Sequence, residues 1–261
     1  MSRFSHLEFE ETPSRPAAGP TPERWPDQDD RSCVASGDGL FRTGAYEPAL
    51  LAYSRALRYN RDNAAAWVGQ VRCLLCLGEY PEAVTWSSRA LERFPEAADL
   101  LACKGLSLLY AGQIAEGVEF LDGAVEMRSP SAWVWLARGE GLLAARQNED
   151  NAHRCFYKAQ ELSPRDPHLL LSIGIAYNRF RYYARARTPL QQSVHTEPNN
   201  PLALCQTGLM YEGLGERESA IGMFERALAA APDYAEAHNA LERARRAGVL
   251  SRLWKRMRRG A

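Results

Sequence analysis

The 261-residue chain is 46% hydrophobic and 25% charged, and its 32 Lys+Arg balance its 32 Asp+Glu. It is long enough to bury a sizeable core, and no apolar run approaches the roughly 18 residues that a membrane-spanning helix needs. The neutral total hides an asymmetry: residues 1–30 carry seven acids and three bases, net −4, and residues 241–261 carry eight bases and one acid, net +7. The stretch between is therefore mildly acidic, which argues against a nucleic-acid groove along it. In chain order, the first segment is residues 1–29. Its start, MSRFSHLEFEE, lacks the basic and apolar regions of a signal peptide. With Pro13, Pro16, Pro20, Pro22 and Pro26 and few apolar groups, it reads as a disordered acidic tail. Phe4, Leu7 and Phe9 stand out in it as a short docking motif, for this chain's own groove or for a second protein.

From residue 30 a period governs the chain. Gly44-Ala45-Tyr46, Ala49, Tyr53 and Ala56-Leu57 return thirty-four residues later as Gly78-Glu79-Tyr80, Ala83, Ser87 and Ala90-Leu91. Later units carry Gly112, Gly117, Leu121 and Ala124, then Ala152, Phe156 and Ala159, then Ala186, Leu190 and Ser193, then Ala220, Phe224 and Ala227. Units begin at 30, 64, 98, 132, 167, 201 and 235, so one interval is 35 residues and the others 34. Such a period predicts helix-turn-helix units stacked so that neighbours bury one another's apolar faces. Small residues (Gly105, Gly139, Gly174 and Gly208 in the first helix, the recurring alanines in the second) mark where the two helices cross closely. Trp67, Leu74, Trp135, Leu142, Tyr177 and Tyr211 fill the space around them. Pro95, Pro164, Pro198 and Pro232 stop the second helices. The first unit has Arg61 where a proline is expected, the third has Ser129 with Pro130 one residue late, and the fourth has one extra residue within Arg146–Asp150.

Gly208-Leu-Met-Tyr211 with Gly215, Ala220, Phe224, Ala227 and Pro232 carries a family resemblance: the chain resembles the tetratricopeptide repeat (TPR) family over residues 30–234, as six repeats. The resemblance implies an all-α, right-handed α-solenoid with a C-terminal capping helix, and a concave face lined by the first helix of each repeat. Carried over by repeat position, the partner-binding residues are Val34, Phe41, Val68, Arg72, Leu75, Leu106, Leu109, Trp133, Leu136, Glu140, His168, Leu171, Ile175, Asn178 and Leu209. This lining is apolar and suits an amphipathic helix or an extended apolar segment. The branch of the family that clamps C-terminal carboxylates has Lys and Asn in slots that here hold Val34 and Asp38, which argues against chaperone C-termini as ligands.

Residues 235–261 hold the capping helix and, after Gly248, a basic amphipathic helix. In it Leu250, Leu253, Trp254 and Met257 share one stripe, and Arg252, Lys255, Arg256, Arg258 and Arg259 take the other faces. That pattern fits an anionic membrane surface, an acidic protein groove, or packing on the last repeat. No G-x-S-x-G, H-E-x-x-H or P-loop pattern is present. The histidines at 6, 153, 168, 195 and 238 are scattered over different units. Cys73-Leu-Leu-Cys76 has no second ligand pair, so it reads as helix packing rather than a zinc half-site. The expectation is a non-enzymatic scaffold or adaptor without metal or cofactor, binding a protein or peptide. It is placed in the cytoplasm, at the inner membrane if the basic helix anchors it, with a bacterial composition. The alternatives are a peripheral membrane adaptor and a non-catalytic subunit of an enzyme assembly. Self-association stays open, and nucleic acid is disfavoured.

Overall fold

The computed structural model describes residues 29–128, 130–146 and 149–246. Among them every regular element is an α-helix: α1 (Asp30–Arg42), α2 (Tyr46–Tyr59), α3 (Ala64–Leu77), α4 (Tyr80–Arg93), α5 (Ala98–Tyr110), α6 (Ile114–Glu126), α7 (Ala132–Ala144), α8 (Glu149–Leu162), α9 (Pro167–Arg179), α10 (Tyr183–Thr196), α11 (Pro201–Gly213) and α12 (Arg217–Ala230). A thirteenth, α13, occupies 235–246. The odd-numbered helices begin at the residues that the sequence period marks. The fold is an all-α helical-repeat solenoid. Two compact units make it up: 29–41 with 45–130, called here the N-terminal unit, and 42–44 with 131–246, the C-terminal unit.

Local chemistry sets the starts of the odd-numbered helices. Asn63, Ser131, Asp166 and Asn200 each accept a backbone N–H of the first turn, at Ala66, Val134, His168, and Leu202 with Ala203. Such caps contribute about 1 kcal/mol each. Pro167 and Pro201 add a pre-set φ in the first turn of α9 and α11. The turns between paired helices need a left-handed residue. Glycine supplies it at Gly44, Gly78, Gly112 and Gly215, but Arg146 (φ 53°) and Arg181 (φ 66°) supply it in the fourth and fifth repeats. A side chain in that region costs about 1 kcal/mol because Cβ crowds the following carbonyl.

Paired helices interlock by a small residue against a large one. A Cβ built on Gly174 would lie 2.4 Å from Leu190, on Gly208 2.4 Å from Phe224, on Gly139 2.7 Å from Phe156, on Gly105 2.7 Å from Leu121, and on Gly37 2.8 Å from Tyr53. The second repeat inverts the arrangement. Its corresponding positions hold Val71 and Ser87, both fully buried, so the bulk comes from the first helix instead. The same register holds because the summed volume is conserved, not the identity at either position. At the C-terminal end, Ala237, Ala240, Leu241 and Ala244 of α13 pack on Leu204, Cys205, Phe224 and Ala227. That core would otherwise face solvent.

Candidate functional site on the first-helix face

Within each unit the first helices stack on one another: α3 meets α5, α7 meets α9, and α9 meets α11. That stacking consumes much of the row predicted to line a groove. Leu75, Leu106, Leu109, Leu136 and Leu171 are buried, and Glu140 is 7% exposed. Their side chains pack in the protein interior. Val34, Phe41, Val68, Arg72, Trp133, His168, Ile175, Asn178 and Leu209 are half-buried. The accessible face is thus narrower and more polar than an apolar groove built from the whole row.

In the N-terminal unit this face is aromatic. The Arg72 guanidinium lies 4.7 Å above the Phe41 ring, and Phe41 meets Tyr46 edge-on with centroids 5.3 Å apart. The Tyr53 hydroxyl donates to Asp38 at 2.6 Å. Burial, then that bond to a carboxylate, pushes the Tyr53 phenol well above its ordinary range.

In the C-terminal unit the face is crossed by polar links, within the fifth repeat at His168–Glu197 and otherwise between successive helical units. Arg179 donates to Glu140 Oε1 at 2.5 Å, the carboxylate side chain being 10% exposed and the arginine 38%. His168 Nε2 lies 3.1 Å from Glu197 Oε1. Burial lowers the His168 pKa and Glu197 opposes it, while its Nδ1 is buried with no hydrogen-bond partner. Asn178 Nδ2 donates to the Gln206 carbonyl at 2.8 Å. Arg243 of α13 grips Glu212 through Nε at 3.1 Å and a terminal nitrogen at 2.7 Å. Arg179 and Arg243 do not figure among the partner-binding residues named from sequence. Glu140 and Arg179 lie 39 residues apart, and only the stacking of repeats makes them neighbours.

The remaining chemistry-bearing groups are integrated into packing. Cys73 is fully buried and its thiol pKa is pushed up by that burial, whereas Cys76, read from sequence as a packed residue, is exposed. The pair sits one turn apart, and the helix turns only Cys73 toward the core. His153 is 5% exposed, with Nδ1 3.0 Å from the Tyr177 hydroxyl and its ring against Tyr177 and Tyr182. Burial first, then Arg185, lowers its pKa; Glu149 and Asp150 act in the opposite direction. Among the described residues no group of three or more His, Cys, Asp or Glu is placed to hold a metal ion, and no helix is long and apolar enough to cross a membrane. The tail motif Phe4, Leu7 and Phe9 and the basic-helix residues Arg252, Trp254, Lys255, Arg256, Arg258 and Arg259 lie outside the described residues.

This geometry of paired helices, a small-against-large crossing and a stacked first-helix row agrees with what known proteins show. Two family models described as tetratricopeptide repeat match residues 34–98 and 202–234. The chain thus carries tetratricopeptide repeats. A TPR repeat-containing protein of Methanocaldococcus jannaschii is 24% identical over 153 residues, 55% of this chain and 27% of that protein. A tetratricopeptide repeat protein of Parabacteroides merdae has a similar structure (TM-score 0.53, 21% identity, 82% of this chain and 84% of that one). So does human IFIT1, solved as a dimer with m7Gppp-AAAA (TM-score 0.58, 18% identity, 77% of this chain and 50% of that one). These structural likenesses establish the fold alone. The chain spans about a quarter of the length of the curated relatives it matches. Tetratricopeptide repeats indicate protein or peptide partners in general, and proteins built from them are typically non-catalytic scaffolds.

Proposed function

We propose that this chain is a non-catalytic protein–protein interaction scaffold that holds an apolar or amphipathic partner segment on its first-helix face. One observation carries the reading: Val34, Phe41 and Val68 in the N-terminal unit, and Ile175 and Leu209 in the C-terminal unit, stay half-accessible on first-helix rows in which Leu75, Leu106, Leu109, Leu136 and Leu171 are locked by packing. A rigid row with apolar side chains at helical spacing suits a helix or strand laid across it. The division into a tail over 1–29, six repeats over 30–234 and a capping and basic segment over 235–261 belongs to the same proposal. So does a cytoplasmic setting, for which six free thiols speak. The test is affinity capture from the source cell with the full chain, a Val68→Glu/Ile175→Glu variant, and a version lacking residues 1–29. Loss of one partner with the double variant alone supports the face. Loss only with the shortened chain moves the contact to Phe4, Leu7 and Phe9 and refutes it.

A second reading rests on the spacing of Leu250, Leu253, Trp254 and Met257 among five basic residues. It makes the chain a peripheral membrane adaptor. Flotation with phosphatidylserine vesicles decides it: equal binding with and without residues 249–261 excludes this role.

A further inference from the structure

The fourth and fifth repeats carry a feature that packing does not require. Their inter-helix turns place Arg146 and Arg181 in the left-handed region where the other four repeats have glycine. The turn position is open at three of those four glycines: a Cβ at Gly78, Gly112 or Gly215 would meet nothing within 4 Å. An arginine there consequently gains no contact that would compensate for its backbone conformation, and both side chains are exposed. Beyond their backbone N–H bonds to Leu143 and Asn178, neither guanidinium is hydrogen-bonded or ion-paired with a described residue, and neither is that of Arg185, exposed in the first turn of α10. The arginines that follow behave differently. Arg187 pairs with Glu216, Arg217 donates to the Ala244 carbonyl, Arg226 to that of Pro198, and Arg243, Arg245 and Arg246 to Glu212, Glu225 and Glu242. Strain without a structural return, and guanidinium groups without acceptors, thus coincide on one edge. Backbone strain of this kind is retained where a side chain has work outside the fold.

We propose that this turn edge, Arg146, Arg181 and Arg185, is a binding surface for an acidic linear segment of a protein partner. Beside Arg181, the Tyr182 phenol is held above its ordinary pKa, first by a hydrogen bond to Glu149. Two carboxylates, Glu149 and Asp150, open α8. The two acids interrupt the continuous positive track that a nucleic-acid backbone follows. Discrete carboxylates, by contrast, pair fork-to-fork with separate guanidinium groups. This surface lies at the turns, so it acts independently of the first-helix face.

The experiment measures anisotropy of a labelled octaglutamate peptide against the full chain at low salt, with Arg146→Gly/Arg181→Gly, Arg146→Lys/Arg181→Lys and Arg185→Gln variants. The glycine pair relieves the strained turns, so it folds with an equal or higher Tm. Its affinity is expected to fall about tenfold, with a smaller loss, about threefold, for the lysine pair and for Arg185→Gln. An equal affinity in the glycine pair, or no binding by the natural chain, overturns the proposal. Tighter and equally arginine-dependent binding of a ten-nucleotide uridylate overturns it in favour of RNA.

Discussion

The N-terminal and C-terminal units are built on one repeat and yet hold their first-helix faces in different ways. In the N-terminal unit the accessible side chains are Val34, Phe41 and Val68, ordered by ring contacts and by Arg72 lying over Phe41. In the C-terminal unit the same rows are tied by Glu140–Arg179, His168–Glu197 and Glu212–Arg243. Under the proposed function, an apolar segment would meet less competition from internal ion pairs on the first unit. On the second it must fit around charged links that already satisfy one another. The cores differ too. All three repeats of the C-terminal unit put glycine on the first helix under Phe156, Leu190 or Phe224, while the second repeat reverses small and large through Val71 and Ser87.

Core substitutions test that contrast most severely. Gly174→Val should destabilise the C-terminal unit by about 3 kcal/mol, since its Cβ already falls 2.4 Å from Leu190. Val71→Gly should cost the N-terminal unit about 2–3 kcal/mol through a cavity and a glycine inside a helix. Adding Ser87→Leu should restore at least half of that loss by returning the repeat to the common arrangement. Urea denaturation of the four proteins measures this, and absence of rescue would refute the volume-conserving account. Replacing Glu140 by glutamine should cost about 1–2 kcal/mol, because it removes the charge from a largely buried acceptor. Asp38→Asn should cost less than half as much, since an amide oxygen can still accept from Tyr53.

A pH titration separates the units further. His153 has a folded pKa below its unfolded value near 6.5. Above about pH 7 both states are neutral there and the contribution is constant. As pH falls through 6.5 the unfolded chain binds the proton first, so stability declines until the folded pKa is passed. His153→Leu should flatten that decline below pH 6.5, leaving a smaller one from His168, whose pKa is lowered in the same direction. The smallest effect belongs to the turns. Arg181→Gly alone should raise stability by about 0.5 kcal/mol, the relief of a left-handed side chain less the entropy of a glycine.

Much of this protein is legible as sequence because repetition turns weak local signals into a period. The period names helix starts, Pro95, Pro164, Pro198 and Pro232 name stops, and the small residues name crossings. Cap chemistry, a missing N–H and the absence of a side chain all act within a few residues. The candidate face was legible only as a row. Which members of it remain accessible depends on how closely successive first helices approach, and burial of Leu106 or Leu171 is set by residues one repeat away. The links between Glu140 and Arg179 and between Glu212 and Arg243 join positions 39 and 31 residues apart. The left-handed conformations of Arg146 and Arg181 likewise follow from helices whose entry and exit are already fixed. The sequence alone determined the all-α repeat and its register, because those rest on short-range chemistry repeated many times. Tertiary structure decided which side chains face outward, which charges pair and which turns bear strain, because each of those depends on the approach of segments that only stacking brings together.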